Sequence, residues 1–125
     1  MKTNLNSKLA SKARVNVAVL GASGYTGLET IRVLLKHPKV KIKALVGEKT
    51  KGKTLGEVCS PFSNIELPKI ISFQQVDFKK IDVVFSCMPS GKLSSIINKF
   101  PANILIIDLS ADFRMKDIGL YESYY

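Results

Sequence analysis

The sequence has 125 residues, enough for one domain around a single core. Hydrophobic residues make up 46%, which excludes a disordered chain, and no uninterrupted apolar stretch is long enough for a bilayer, so a soluble cytoplasmic protein with no membrane partner is expected. The net charge of +9 suits an anionic ligand, but scattered lysines without arginine clusters or interleaved aromatics argue against a nucleic-acid face.

Residues 1–14 carry Lys and Arg, no acids and little apolar content. They read as a basic tail, with a short organellar targeting segment as the alternative, ahead of one domain over residues 15–125. Val15 to Leu20 is short, β-branched and ended by glycine, the pattern of a buried parallel strand. From Tyr25 to His37, Leu28, Ile31, Leu34 and Leu35 recur at helical spacing, with Lys36 and His37 in the last turn and Pro38 as the stop. Val40 to Val46 reads as a second strand with Ile42, Ala44 and Val46 on one face, followed by a polar, Lys-rich loop from Gly47 to Gly56. Leu67 to Phe73 is a strand interrupted by Pro68, and Val76 to Ile81 a short helical turn. Asp82 to Met88 is a strand ended by Pro89, and Lys92 to Phe100 a helix with Leu93, Ile96, Ile97 and Phe100 at i, i+3, i+4 and i+7. Ile104 to Leu109 is a further buried strand. Strands alternating with helices predict a Rossmann-like α/β fold: an open, mostly parallel twisted sheet with helices on both faces.

The chemistry gathers where strands end. Gly21, Gly24 and Gly27 are spaced three apart between the first strand and the first helix. In that setting glycines permit a tight turn and close backbone approach, while the helix N-terminus points N–H groups at an anion. The alternative is a turn that merely packs helix on sheet. Ser23, Tyr25 and Thr26 add hydroxyls beside this path. After the second strand, an acid would favour the free ribose hydroxyl of NAD and cations the 2′-phosphate of NADP. Here Glu48 is followed by Lys49, Lys51 and Lys53, and the balance of cations favours NADP, against a solvated loop that binds nothing. Pro89 and Ser90 stand at the carboxyl end of another strand, as a candidate wall of the same cleft or a plain turn. Asp108, Ser110, Asp112 and Arg114 follow the last strand; Arg114 is suited to a bidentate phosphate contact or to an internal Asp–Arg pair.

The two cysteines, Cys59 and Cys87, lack metal or redox spacing, so no metal site is expected and a reducing compartment is the default. Cys87, within an apolar strand, reads as an inert thiol, Cys59 as structural, and His37 as a capping residue rather than a base.

The run Gly21-Ala22-Ser23-Gly24-Tyr25-Thr26-Gly27, together with Asp108-Leu109-Ser110-Ala111-Asp112-Phe113-Arg114 and Tyr121-Glu122, resembles N-acetyl-gamma-glutamyl-phosphate reductase. Gly52-Lys53-Thr54-Leu55 and Met88-Pro89-Ser90-Gly91 are similar to that family too, so the resemblance runs from about Val15 to Tyr125. Aspartate-semialdehyde dehydrogenases share the fold and a similar turn, but typically differ at Ala111-Asp112.

The resemblance implies NADPH-dependent reduction of an acyl phosphate, N-acetylglutamyl phosphate, to the semialdehyde in arginine biosynthesis. Activation passes through a cysteine thioester. It also implies that the glycine turn holds the pyrophosphate, the loop Gly47 to Lys53 the 2′-phosphate, and Arg114 the substrate phosphate. The family's nucleophile lies in a Gly-Cys-Tyr-Pro-like motif that neither Cys59 nor Cys87 matches, its catalytic histidine belongs to a later domain, and its chains often carry histidine where Ser90 stands. No catalytic residue is therefore assigned. The chain reads as a cofactor-binding portion with the second, catalytic domain absent, inactive alone and inclined to associate, as a homo-oligomer or with a catalytic domain. A non-catalytic dinucleotide-binding module or subunit completed by another polypeptide is the alternative, and a relative of aspartate-semialdehyde dehydrogenase a further one.

Overall fold

The computed structural model describes residues 13–109. The N-terminal tail as far as residue 12 and the segment from Ser110 onward, Arg114 included, lie outside the described residues.

Five strands form one sheet: β1 (Val15–Leu20), β2 (Val40–Val46), β3 (Ile70–Ile71), β4 (Val83–Ser86) and β5 (Leu105–Asp108). Their order is β3-β2-β1-β4-β5 and every neighbouring pair is parallel. The chain leaves β1 toward one side of the sheet and returns to build the other, so the strand order reverses between β1 and β4. In open α/β sheets that reversal opens the crevice in which ligands sit.

Helices cover both faces, as expected. On one face Val17 and Val19 pack with Ile31 and Leu34 of α1 (Tyr25–Leu34), with Leu55 of α2 (Leu55–Val58) and with Phe62. On the other, Ala18, Leu20 and Val84 pack with Ile96 of α3 (Lys92–Ile96) and with Phe73, Phe78 and Phe100. Complete burial of a side chain such as Ile31 or Leu20 contributes about 1.5–3 kcal/mol, so these two layers hold the strand ends in place.

The sequence reading needs correction at several joints. The second strand does not keep Ile42, Ala44 and Val46 on one face. The register steps from Val17↔Ile42 to Ala18↔Ala44, leaving Lys43 as an extra residue in β2. This bulge flips the alternation, so Ile42 joins Leu45 in the first core while Ala44 and Val46 enter the second. The first helix stops at Leu34, not His37, because the chain tightens: Lys36 N–H reaches Val33 carbonyl at 3.1 Å and His37 N–H reaches Leu34 carbonyl at 3.0 Å. Leu35 is consequently exposed rather than core. His37 does cap, but forward, its Nδ1 accepting from Lys39 N–H at 3.1 Å on the way into β2.

The loop read as Gly47 to Gly56 yields to α2 at Leu55, where the Thr54 hydroxyl caps Glu57 N–H. The strand read as Leu67 to Phe73 contracts to Ile70 and Ile71, the residues that find partners in Leu45 and Val46. Beyond it lie two single turns of 3₁₀ helix, Phe73–Gln75 and Phe78–Lys80, where one turn over Val76 to Ile81 was expected. β4 and β5 are each shorter than the apolar runs that contain them. The helix read as Lys92 to Phe100 breaks after Ile96 into a 3₁₀ turn, Ile97–Lys99, leaving Ile97 exposed.

Candidate functional site

The three glycines do three different things. Gly21 leaves β1 with φ +74°, and a Cβ there would lie 2.8 Å from the Cys87 carbonyl oxygen, where the chain passes after β4. Its N–H and that of Ala22 both donate to the Val46 carbonyl, at 2.9 and 3.0 Å, fastening the turn to the end of β2. Gly27 is buried in the first turn of α1; a Cβ there would collide with the Gly21 carbonyl oxygen and stand 2.8 Å from that of Ala22. Gly24 differs from both. It is exposed, its φ of −78° suits any residue, and a Cβ would meet only the Gly21 carbonyl oxygen at 3.7 Å. Packing within the chain accounts for Gly21 and Gly27 but not for Gly24. Bare, open backbone of this kind at the start of a helix suits close approach of an anion.

Gly24 is also the N-cap of α1, and no side chain caps that end. The first N–H groups of a helix have no partner inside it, and with the helix dipole they favour an anion. Tyr25 and Thr26 are exposed there, Tyr25 at 82%, so their surfaces are open to a ligand. Ser23 is half-buried, and its Oγ accepts from Thr50 Oγ1 at 3.0 Å. The glycine turn and the lysine loop are thus joined by a hydroxyl pair.

The lysine loop is a fastened structure. Gly47 N–H donates to Ile71 carbonyl (3.1 Å), Gly52 N–H to Ile70 carbonyl (2.7 Å) and Ile70 N–H to Lys53 carbonyl (2.9 Å), so both ends of the loop sit on β3. Lys49, Lys51 and Lys53 are exposed on it. Glu48 Oε2 accepts from Phe73 N–H at 3.0 Å, and Glu48 Oε1 lies 3.9 Å from Lys51 Nζ.

Across the crevice, Cys87 N–H donates to Leu20 carbonyl at 2.8 Å, which brings the Cys87 carbonyl and the Met88 nitrogen against Gly21, with Pro89 and Ser90 next in the chain. Pro89 and Ser90 are exposed. Next along the sheet edge, Leu109 N–H donates to Ser86 carbonyl at 2.8 Å at the exit of β5. Cys87 itself lies one residue past β4. Its Sγ donates to Thr30 Oγ1 at 3.4 Å, and burial pushes its thiol pKa up, against a lowering by that hydrogen bond and with a further rise from Asp108. Such a thiol is the opposite of an activated nucleophile.

The structure therefore brings together Gly21, Ser23, Gly24, Tyr25, Thr26, Gly27, Lys49, Lys51, Pro89 and Ser90 along one edge of the sheet. Two participants escaped the sequence reading. Thr50, to which the sequence reading gave no role, ties the loop to the turn. The Phe73 backbone N–H holds Glu48 from 25 residues away. No local spacing signals either. Among the described residues no group of His, Cys, Asp and Glu could hold a metal ion.

A parallel sheet of order β3-β2-β1-β4-β5 with a glycine turn at its reversal point defines the dinucleotide-binding class of α/β proteins. Within that class the chain belongs to the semialdehyde dehydrogenase NAD-binding domain family, whose model matches residues 16–123. Among curated relatives, an N-acetyl-gamma-glutamyl-phosphate reductase of Ehrlichia chaffeensis (strain ATCC CRL-10679 / Arkansas) is 45% identical over 113 residues, 90% of this chain and 33% of its own length. One of Rhodobacter capsulatus is 39% identical over 109 residues, covering 87% and 32%. A chloroplastic counterpart from Oryza sativa subsp. japonica is 40% identical over 119 residues, covering 95% and 29%. The chain thus spans about a third of the length of the curated relatives it matches. Among solved structures, aspartate semialdehyde dehydrogenase with NADP from Candida albicans superposes with a TM-score of 0.66 at 26% identity, over 82% of this chain and 31% of that one.

Proposed function

We propose that this chain is the NADPH-binding portion of an N-acetyl-gamma-glutamyl-phosphate reductase. The observation that carries the reading is the identity of 37–45% to proteins of that name over most of the chain. The geometry fits the group: a turn open at Gly24 and uncapped at α1 suits a pyrophosphate, and a fastened loop bearing three lysines suits a 2′-phosphate. The structural neighbour from Candida albicans was solved with NADP. NADPH supplies a hydride when bound. In this reading the backbone at Gly21, Gly24 and Gly27 and the N–H groups of Tyr25 and Thr26 bind the pyrophosphate, with Ser23 beside them. Lys49, Lys51 and Lys53 enclose the 2′-phosphate, and Pro89 and Ser90 wall the crevice. Arg114 meets the phosphate of the acyl-phosphate substrate.

No catalytic residue is assigned to the chain. Cys87 is held as a protonated thiol and Cys59 packs against the core, so the nucleophile comes from elsewhere in the working enzyme. The same observation favours a second reading, a dinucleotide-binding module completed by another polypeptide. Residues 15–125 form the domain in either case. Association fits the exposed Val33 and Ile97, and Leu105 on the edge strand β5. The rice relative is named as chloroplastic, and cytoplasmic residence is part of the proposal for this chain.

Calorimetric titration of the whole chain tests the cofactor. NADPH binds more tightly than NADH, and Gly24→Val weakens NADPH by about 100-fold or more, about 2.7 kcal/mol, while far-UV circular dichroism and Tm stay close to the parent. Equal affinities for the two dinucleotides defeat the role given to the lysines. Retained affinity in Gly24→Val defeats the pyrophosphate seat. Reduction of N-acetylglutamyl phosphate by the purified chain alone would show that a nucleophile has been missed.

A further inference from the structure

The acid after β2 is placed where a carboxylate reads the ribose hydroxyls of NAD, yet in this chain it is already engaged. Glu48 stands two residues beyond Val46, the last residue of β2. Its Oε2 accepts the Phe73 N–H at 3.0 Å and its Oε1 faces Lys51 Nζ at 3.9 Å. The donor is well fixed. Phe73 opens the 3₁₀ turn that follows β3, and Gln75 Oε1 takes the preceding N–H, that of Ser72, at 2.9 Å. The Phe73 ring belongs to a three-ring cluster, with centroids 5.3 Å from Phe100 and 5.5 Å from Phe78. Where the backbone bonds to β3 hold the two ends of the loop, Glu48 therefore holds its leading side and Thr50 its crest.

Resting on the NADPH reading above, we propose that Glu48 is a positioning residue for cofactor specificity. It shapes the lysine loop for a 2′-phosphate through its bond to Phe73, and it does not read the ribose. Two consequences follow from its chemistry. Its acceptor oxygen is what the loop requires, since the bond to Phe73 N–H needs only a lone pair. Its charge is a hindrance, since it neutralises Lys51 and repels a phosphate dianion. An amide oxygen keeps the first property and removes the second; a methyl group removes both.

The test compares Glu48→Gln and Glu48→Ala in the full chain, titrated with NADPH and with NADH, with amide hydrogen exchange at Phe73 read in parallel. Glu48→Gln binds NADPH as well as the parent or up to about fivefold more tightly, because a charge repulsion near the surface is worth about 1 kcal/mol. Glu48→Ala binds NADPH about five- to tenfold more weakly than Glu48→Gln, the scale of one lost hydrogen bond with the charge absent from both. NADH changes less than twofold in both. Phe73 amide protection persists in the glutamine variant and drops in the alanine variant. Weakening of NADH by tenfold in both variants would mean that Glu48 reads the ribose, and would overturn the inference. Equal NADPH affinity in Glu48→Ala and Glu48→Gln, or unchanged Phe73 protection in Glu48→Ala, would overturn it as well, while leaving the cofactor reading intact. Failure of the parent chain to bind NADPH would overturn both.

Discussion

The glycine turn after β1 and the lysine loop after β2 face the same crevice, but they are held by different physics. The turn is tied to Val46 by two backbone hydrogen bonds and is shaped above all by contact. At Gly21 and Gly27 the backbone of neighbouring elements leaves no room for a Cβ, and the fold itself demands glycine there. The loop is held by polar bonds: three to β3 through the backbone, one from Thr50 to Ser23 and one from Phe73 to Glu48. Contact of this kind tolerates no substitution and carries little information about the ligand. Polar fastening tolerates many side chains at the loop surface, so selectivity between cofactors can be tuned there without disturbing the sheet.

The largest effect is expected where contact is tightest. Gly27→Ala adds a methyl group against two backbone oxygens that cannot swing aside. Overpacking of this kind costs about 1–3 kcal/mol or more, and the roughly 1 kcal/mol that alanine gains over glycine in a helix offsets only part of it. Tm should fall by roughly 10 °C, with weaker cofactor binding as a consequence of the displaced turn. A Tm that holds or rises in a thermal melt would show that α1 does not press on the turn, and the contrast with the loop would lose its first half.

The turn was legible from sequence because its signals are local. A β-branched run, three glycines and an amphipathic helix fall within about twenty residues, and each follows from backbone sterics. The same holds for the alternation of elements and for the two cysteines. What escaped is long-range. Lys43 carries no mark of a bulge, and the displaced register of β2 shows only in its pairing with β1. The short β3 pairs only with Leu45 and Val46 at the end of β2, a limit that its own apolar run does not mark. In the site, the lysines were visible as charges, but Glu48 looked like a candidate ribose acid because its partner lies 25 residues away. Side chains that act through distant backbone groups leave no periodic trace.

A change in the loop should be milder and selective. Thr50→Val removes the hydroxyl donor to Ser23 and keeps the branched shape. Stability falls by about 1 kcal/mol, the net worth of an ordinary hydrogen bond. NADPH affinity should drop about threefold while NADH is unchanged, because the proposed reading gives the loop to the 2′-phosphate and not to the pyrophosphate. Equal losses for the two dinucleotides in calorimetry would place the hydroxyl pair with the pyrophosphate seat and merge the two regions into one.

The smallest effect concerns the thiol of Cys87, the residue whose carbonyl closes the turn from the β4 side. Burial raises the Cys87 pKa more than its bond to Thr30 lowers it, so the folded chain keeps this proton to higher pH than the unfolded chain does. The contribution to stability is full below about pH 8.5, the ordinary thiol value, and is lost as pH rises from there through the folded value. In urea titrations the parent should lose slightly more stability than Cys87→Ser between pH 8 and pH 10. At pH 8, iodoacetamide should label Cys87 more slowly in the folded chain than in urea, read by peptide mass spectrometry. Equal labelling rates would mean that the contact side of the crevice opens readily to solvent, and that the turn is no more rigid than the loop beside it.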